Sequence, residues 1–176
     1  MTAGDDTTLR EQFLGGMSLA AATVNIVTTD GPAGRGGVTV SAMSSVSADG
    51  DRPTLLVCVH HKSPVAEMLV KNAAFCVNVL KAGQSEISDT FAGRIRRADG
   101  NRFACTRWTT AATGAPCAEE ALVAFDCSLE SAQRVGTHDV FIGAVQEVIS
   151  AGSGTPLIYA NRTYGRPAPL GRDLSV

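Results

Sequence analysis

The sequence lacks a strong net charge: 15 lysines and arginines stand against 17 acidic residues, a formal net charge of −2. No large basic field exists to hold a nucleic-acid backbone, and no polybasic run marks a membrane surface. Also missing is an uninterrupted apolar run of the ~18 residues that a membrane-spanning helix needs. Residues 1–10 are polar and carry no apolar stretch of the signal-peptide kind, so a cytoplasmic protein is expected. The five cysteines (Cys58, Cys76, Cys105, Cys117 and Cys127) form no C-x-x-C or Cys/His zinc pattern. An odd count suits a disulfide framework poorly, and free thiols in a reducing compartment are the expectation. Three catalytic signatures are absent as well: no G-x-G-x-x-G follows a strand, and there is no Walker A loop and no G-x-S-x-G elbow. The first absence argues against a Rossmann dinucleotide site.

What is present is the composition of a folded chain, 44% hydrophobic and 18% charged. Its 176 residues favour one domain, with a core over about 13–165 between polar tails. Thr8 to Ala20 reads as a helix, with Leu9, Phe13, Leu14, Met17 and Ala20 near helical spacing and Thr7 or Thr8 as cap. Thr23 to Thr29 is a β-branched strand, and Asp30 to Gly36 supplies turn chemistry. Gly37 to Ser47 is a second strand region. Thr54 to Val59 is apolar throughout, as a strand buried on both faces would be. Ser63 as N-cap and Pro64 at the first helical position open a helix to Lys71. Ala74 to Leu80 is a strand and Ser85 to Ala92 a helix. Gly93 to Gly114 reads as an irregular excursion. Leu122 to Ala132 and His138 to Ile149 are long strands joined through Arg134 to Thr137, and Pro156 to Ala160 is a last short one. Strands outnumber helices and several neighbours are joined by hairpin-length turns. The pattern predicts a mainly β fold with flanking helices, an antiparallel sheet closed into a barrel.

Three segments carry chemical promise. Thr39 to Ser47 (T-V-S-A-M-S-S-V-S) places five hydroxyls in nine residues, either as the polar face of an exposed strand or as a wall beside a polar planar ligand. His60 to Pro64 (H-H-K-S-P) delivers a strand into a helix start, an ordinary cap or an anion site. Adjacent histidines on a strand point to opposite faces, which with His138 alone remaining argues against a metal centre. Gly136 to Gly143 (G-T-H-D-V-F-I-G) sets an imidazole at the mouth of a strand. Tyr159 and Tyr164 are the only tyrosines.

In order, T-V-N-I-V-T-T-D-G, T-V-S-A-M-S-S-V-S, R-P-T-L-L-V-C-V, S-P-x-x-x-x-x-L, F-C-V-N-V-L, D-T-F-A-G, G-T-H-D-V-F-I-G and P-L-I-Y-A-N-R-T-Y-G resemble the short-chain flavin reductases, the reductase partners of two-component flavin monooxygenases. The resemblance runs from about Phe13 to Gly165. It implies a split β-barrel, a homodimer, and an NAD(P)H:flavin oxidoreductase that reduces FAD or FMN with NADH (NADPH less favoured) and supplies reduced flavin to a partner monooxygenase. The same resemblance implies flavin contacts from Thr39, Ser41, Ala42, Met43, Ser44 and Ser45 along the ring and ribityl chain. Cys58, Val59, His60, Lys62 and Ser63 fall at the phosphate, and Phe91, Ala92 and Gly93 line the cleft. His138 and Tyr164 fall at the nicotinamide. Thr137 stands where the family often has Asp. Hydride passes between cofactors, so no general acid or base is assigned. The competing readings are a non-catalytic flavin-binding barrel and an oxidase related to the pyridoxamine-phosphate oxidases, which would need more Arg and Lys around a substrate phosphate.

Overall fold

Short β-branched runs separated by glycine-rich turns become a sheet in which every strand pairing is antiparallel, in a computed structural model that describes residues 3–170. In chain order the elements are α1 (Ala3–Leu19), β1 (Ala22–Thr23), β2 (Asn25–Thr29), β3 (Gly36–Val40), β4 (Met43–Ser47), β5 (Thr54–His60), α2 (Pro64–Asn72), β6 (Ala74–Val79) and α3 (Ser85–Phe91). A 3-10 turn (Arg102–Cys105) follows, then β7 (Trp108–Thr110), β8 (Pro116–Ala118), β9 (Val123–Val135), β10 (His138–Ser150), β11 (Ile158–Ala160) and β12 (Thr163–Gly165).

The main sheet has the order β3-β2-β6-β9-β10-β5-β4. Its two edge strands, β3 and β4, are consecutive in the chain and separated only by Ser41–Ala42. The sheet must therefore curl until its edges meet at that corner, where Cys58 N donates to Ala42 O at 3.2 Å. This is a barrel split along one seam. Its core holds Val27, Val57, Val59, Phe75, Val77 and Phe141, and α2 drives Val65, Ala66 and Leu69 into the same cluster. Helix α2 starts as expected: Ser63 Oγ accepts from Val65 N and Pro64 takes the first turn. It ends on Ala73 in the left-handed region, φ 54°. A buried amide fastens the β7–β8 hairpin to the barrel. Asn78 Oδ1 accepts from Ala118 N at 2.7 Å, and its Nδ2 donates to Ile26 O and Thr28 Oγ1, each at 3.1 Å.

Several expectations shift. Helix α1 begins at Ala3, so Thr7 and Thr8 lie inside it rather than at its start. Its apolar residues Leu9, Phe13, Leu14, Met17 and Leu19 are all exposed, because the helix lies off the barrel. The 37–47 strand region breaks at Ser41–Ala42, the barrel corner. In β5, Leu55, Val57 and Val59 are buried while Leu56 and Cys58 are half-buried. One inward face suffices in a barrel, and the run is not equally buried on both. The β9–β10 connection shrinks to Gly136–Thr137, because His138 pairs with Val135, and Gly136 takes φ 57°. The excursion after α3 contains the 3-10 turn and β7. Strands β8 and β12 had no legible signal, and β1 is read only at Thr23, as the head of the run that becomes β2. The five cysteines are free. No described helix is long and apolar enough to cross a membrane.

Candidate functional site

Strand β3 has a strand partner on one side only, and what covers its other flank builds the site. Gly37 lets α3 approach: a Cβ there would lie 2.6 Å from Cε1 of the Phe91 ring. Thr39 Oγ1 donates to Ser88 O at 2.7 Å, fixing the helix against the strand. Beyond this seam lies a cleft of about 190 Å³ whose wall includes Val24, Thr39, Ser41, Ser88, Ala92, Arg94, Tyr159 and Tyr164. The β11–β12 hairpin closes its far side. Tyr159 and Tyr164 pair directly across that hairpin, their rings edge to face at 5.5 Å between centroids.

The polar residues of the cleft form one network. Tyr164 OH donates to Asp89 Oδ1 at 2.7 Å and lies 2.9 Å from Ser88 Oγ. Arg94 Nη1 donates to the same Asp89 oxygen at 2.9 Å and to Tyr164 OH at 3.1 Å. The Arg94 guanidinium is pushed up, chiefly by its hydrogen bond to Asp89. Burial pushes the Tyr164 phenol up. Both groups therefore hold their protons across the neutral range, the arginine cationic and the phenol neutral. The Ser41 hydroxyl has no hydrogen-bond partner among the described residues. Next to Val24, at the first residue of β2, the buried Asn25 Oδ1 has none either. A planar group with carbonyl and N–H edges fits such a wall: small side chains, an open hydroxyl and a fixed cation.

The structure gathers Thr39, Ser41, Ala92 and Tyr164 at this cleft and disperses the other residues expected of a site. Met43, Ser44 and Ser45 turn onto a separate, largely apolar cleft with Phe125 and Val145. Ala42 is the exposed barrel corner, bonded to Cys58. The Val59 side chain is in the core, 1% exposed, and only its backbone can meet a ligand. Phe91 is buried behind β3, and Gly93 turns the chain out of α3 at φ 76°.

His60, Lys62, Ser63 and His138 form a different end of the barrel. The expected opposition of His60 and His61 does not hold, because β5 stops at His60 and His61 enters a turn, bonded to Thr137 O. The His60 and His61 rings stack at 5.1 Å, and His138 meets His60 edge to face at 5.0 Å. Partial burial, then repulsion from His138, His61 and Lys62, holds the His60 imidazole below its ordinary range. The described residues contain no His/Cys/Asp/Glu group that could hold a metal ion. Arg134 bonds Asp139 beside this cluster, and that hydrogen bond holds the Asp139 carboxyl low.

Ser88, Asp89, Arg94 and Tyr159 went unassigned by sequence. Asp89 sits inside the D-T-F-A-G motif, but nothing in spacing links it to a tyrosine 75 positions on.

A split barrel with an oxygen-rich cleft at its seam is the architecture of one class of oxidoreductase. The profile described as "Flavin reductase like domain" matches residues 17–168. The chain belongs to that family. Among its relatives, the "FMN reductase (NADH) RutF" of Escherichia coli O139:H28 is 42% identical over 155 residues, 88% of this chain and 92% of the relative. A solved structure from Haemophilus somnus 129PT, assigned as a flavin reductase, superposes with a TM-score of 0.82 at 38% identity, covering 89% of this chain and 98% of the other. BorF, the flavin reductase component of a bacterial two-component tryptophan halogenase, gives 0.79 at 30% identity, over 89% and 97%.

Proposed function

We propose that this chain is an NADH-dependent flavin reductase that reduces FMN or FAD and releases the reduced flavin to a partner monooxygenase. The observation that carries the reading is the seam cleft, where Ser41, Thr39 and the Ser88–Asp89–Arg94–Tyr164 network converge on β3. Bound flavin supplies the hydride acceptor and the reduced nicotinamide the donor. The chain's own task is positional. Thr39 and Phe91 hold α3 on β3, so the cleft keeps its width. The open Ser41 hydroxyl and the backbone at the Ser41–Ala42 corner offer hydrogen bonds to the ring edge. Arg94, kept in place by Asp89, presents fixed positive charge to the polar side of the cleft. Tyr164 ties the C-terminal hairpin over the opening. His138, at the other end of the barrel, is assigned to the nicotinamide cofactor by the family resemblance, with the Thr137 hydroxyl 3.1 Å from its Nδ1. The oxygen-rich but shallow cleft suits a flavin that must leave after reduction.

Two features support a homodimer. The α1 stripe is exposed, Phe13 at 63% and Leu19 at 73%, and β4 is a free sheet edge carrying exposed Val46. Apolar surface of this kind is what a second copy covers. NADH, and with it the activity, belongs to the cytoplasm.

The test follows NADH absorbance at 340 nm with and without FMN or FAD. Flavin-dependent oxidation is expected, and consumption indifferent to flavin overturns the reading. His138→Ala is expected to raise the NADH KM with the flavin KM unchanged; an unaltered NADH KM removes His138 from the site.

A further inference from the structure

The reading above leaves two buried nucleophiles unused. Cys76 stands on β6 and Cys117 on β8, 0% and 1% exposed, in a small cluster of their own with Ala111, Ala115 and Ala124. The two strands meet there without sharing a sheet, and side chains fasten them on both sides of Cys117. Thr28 Oγ1 lies 2.5 Å from Pro116 O and 3.3 Å from Cys76 O, so one hydroxyl touches both backbones. One residue past Cys117, Ala118 N donates to Asn78 Oδ1 at 2.7 Å. Between these fastenings the two thiols are in mutual hydrogen-bond contact. The other cysteines lie elsewhere. Cys127 is in the barrel core with Phe75, Cys58 is on β5, and Cys105 packs beside Phe91.

We propose that Cys76 and Cys117 are a redox site: hydrogen peroxide closes them into a disulfide that staples the β7–β8 hairpin to β6, and a dithiol reopens it. The source of the peroxide rests on the flavin reductase reading, because reduced flavin that meets dioxygen before a monooxygenase yields it. The lid over the pair is thin. Ala111 and Ala115 are single methyls, and the turn between them is held down by Ala112 N on Glu147 Oε2 at 3.2 Å and by the two bonds of Thr113 to Asp126. A local opening of this turn leaves the barrel intact and admits a molecule little larger than water. Within the pair, the Cys76 S–H donates to the Cys117 sulfur, which holds the Cys117 thiol down and the Cys76 thiol up. The charge of Asp126, facing both sulfurs, and of Glu147, facing Cys117, opposes a thiolate without reversing that order. Cys117 is therefore the sulfur that reacts first.

Its thiolate attacks one peroxide oxygen. The O–O bond breaks, hydroxide leaves and takes up the thiol's proton as water, and Cys117 becomes a sulfenic acid. The Cys76 sulfur then attacks the Cys117 sulfur. The S–S bond forms, the S–O bond breaks, and the hydroxyl leaves as water with the Cys76 proton. Two thiols lose two electrons and two protons, and one peroxide becomes two waters. The bridge closes a loop of about 40 residues and restricts the unfolded chain accordingly. That loop carries α3, Asp89, Arg94 and Trp108, so the whole cover of the β3 flank from that side lies within it.

The experiment treats reduced full-length protein with hydrogen peroxide in the absence of flavin and NADH, blocks the remaining thiols and maps the cysteine peptides by mass spectrometry. A Cys76–Cys117 peptide is expected to predominate, to vanish with dithiothreitol, and to raise the melting temperature by at least about 5 °C while it lasts. No such peptide at peroxide levels that oxidise Cys58 or Cys105 overturns the proposal, as does a bridge that leaves melting unchanged. Both are read in wild type and depend on no variant. In Cys76→Ala, dimedone should trap a sulfenic acid on Cys117, at least fivefold more than on Cys76 in Cys117→Ala. Equal labelling refutes the assigned order. A second arm replaces peroxide by NADH and FMN in air. The same bridge is expected, and catalase should abolish it. NADH consumed without a bridge overturns the enzyme's own product as the oxidant. NADH untouched, while added peroxide still forms the bridge, sinks the reductase reading and leaves the cysteine pair standing.

Discussion

Gly37→Ala is the sharpest probe of how β3 and α3 build the cleft. The added methyl would lie 2.6 Å from Cε1 and 2.9 Å from Cδ1 of Phe91. Gly37 itself has no positive φ, so the substitution strains no backbone angle and acts by contact alone. Phe91 is 2% exposed. Its ring is boxed on two sides by Phe103 at 5.1 Å and Trp108 at 5.7 Å, both edge to face. Overpacking of this kind costs about 1–3 kcal/mol. For a chain of this size, about 2–4 °C of melting temperature is lost per kcal/mol, which gives a fall of roughly 2–12 °C. Moving Phe91 also moves α3, and with it Ser88, Asp89 and the Arg94 contact, so the flavin KM should rise together with the loss of stability. The decisive assay is a double-mutant cycle by urea denaturation. Phe91→Leu alone opens space at a cost of about 1–2 kcal/mol. Added to Gly37→Ala it should relieve the clash, so the pair falls short of the sum by at least about 0.5 kcal/mol. Strict additivity, or a Gly37→Ala protein with unchanged melting and unchanged flavin KM, would refute the account of this seam.

Further outcomes follow from other contacts. Asn78→Ala strands the amide of Ala118 and the carbonyl of Ile26 in the core and should cost about 3 kcal/mol in urea unfolding, with the β7–β8 hairpin cleaved first under limited proteolysis. Tyr164→Phe removes the donor to Asp89 and the acceptor for Arg94, and should raise flavin KM several-fold while the barrel melts within a few degrees of wild type. The Asp126 carboxyl is fully buried, and burial pushes its folded value above the ordinary carboxylate range against the two bonds from Thr113. A folded state that holds this proton more tightly than the unfolded chain loses stability as pH rises through the window between the ordinary and the raised value. Urea midpoints measured across that window should show this fall in wild type and not in Asp126→Asn. Arg162, at φ 59° in the β11–β12 turn, should gain about 0.5–1 kcal/mol on replacement by glycine.

Local chemistry was legible and apposition was not. Ser63–Pro64 announces the start of α2 because a cap and a first-turn proline act within three residues. Strands β2, β5, β6, β9 and β10 are legible from β-branched and apolar runs. The hydroxyls of Thr39 and Ser41 were readable as a wall, but what faces them was not. Ser88 and Arg94 meet Tyr164 only after the chain has crossed the barrel, and no period or spacing encodes that meeting. The histidines mislead for a similar reason. His60 and His61 obey strand alternation only while the strand lasts, and it ends between them. Helix α1 shows the converse: its apolar stripe reads as a core face, yet Leu9, Phe13, Leu14, Met17 and Leu19 are exposed.

The seam has one more consequence. A row of unpaired backbone N–H and C=O groups along β3 would be an open invitation to pair with a stranger's strand. Here α3 and the C-terminal hairpin stand guard over it, and the cleft proposed to take flavin is the gap in that guard. Solubility and catalysis are thus entrusted to the same few contacts. A lesion that loosens α3 should show itself as clumping at high concentration as readily as in lost turnover, and a saturating flavin should suppress the clumping.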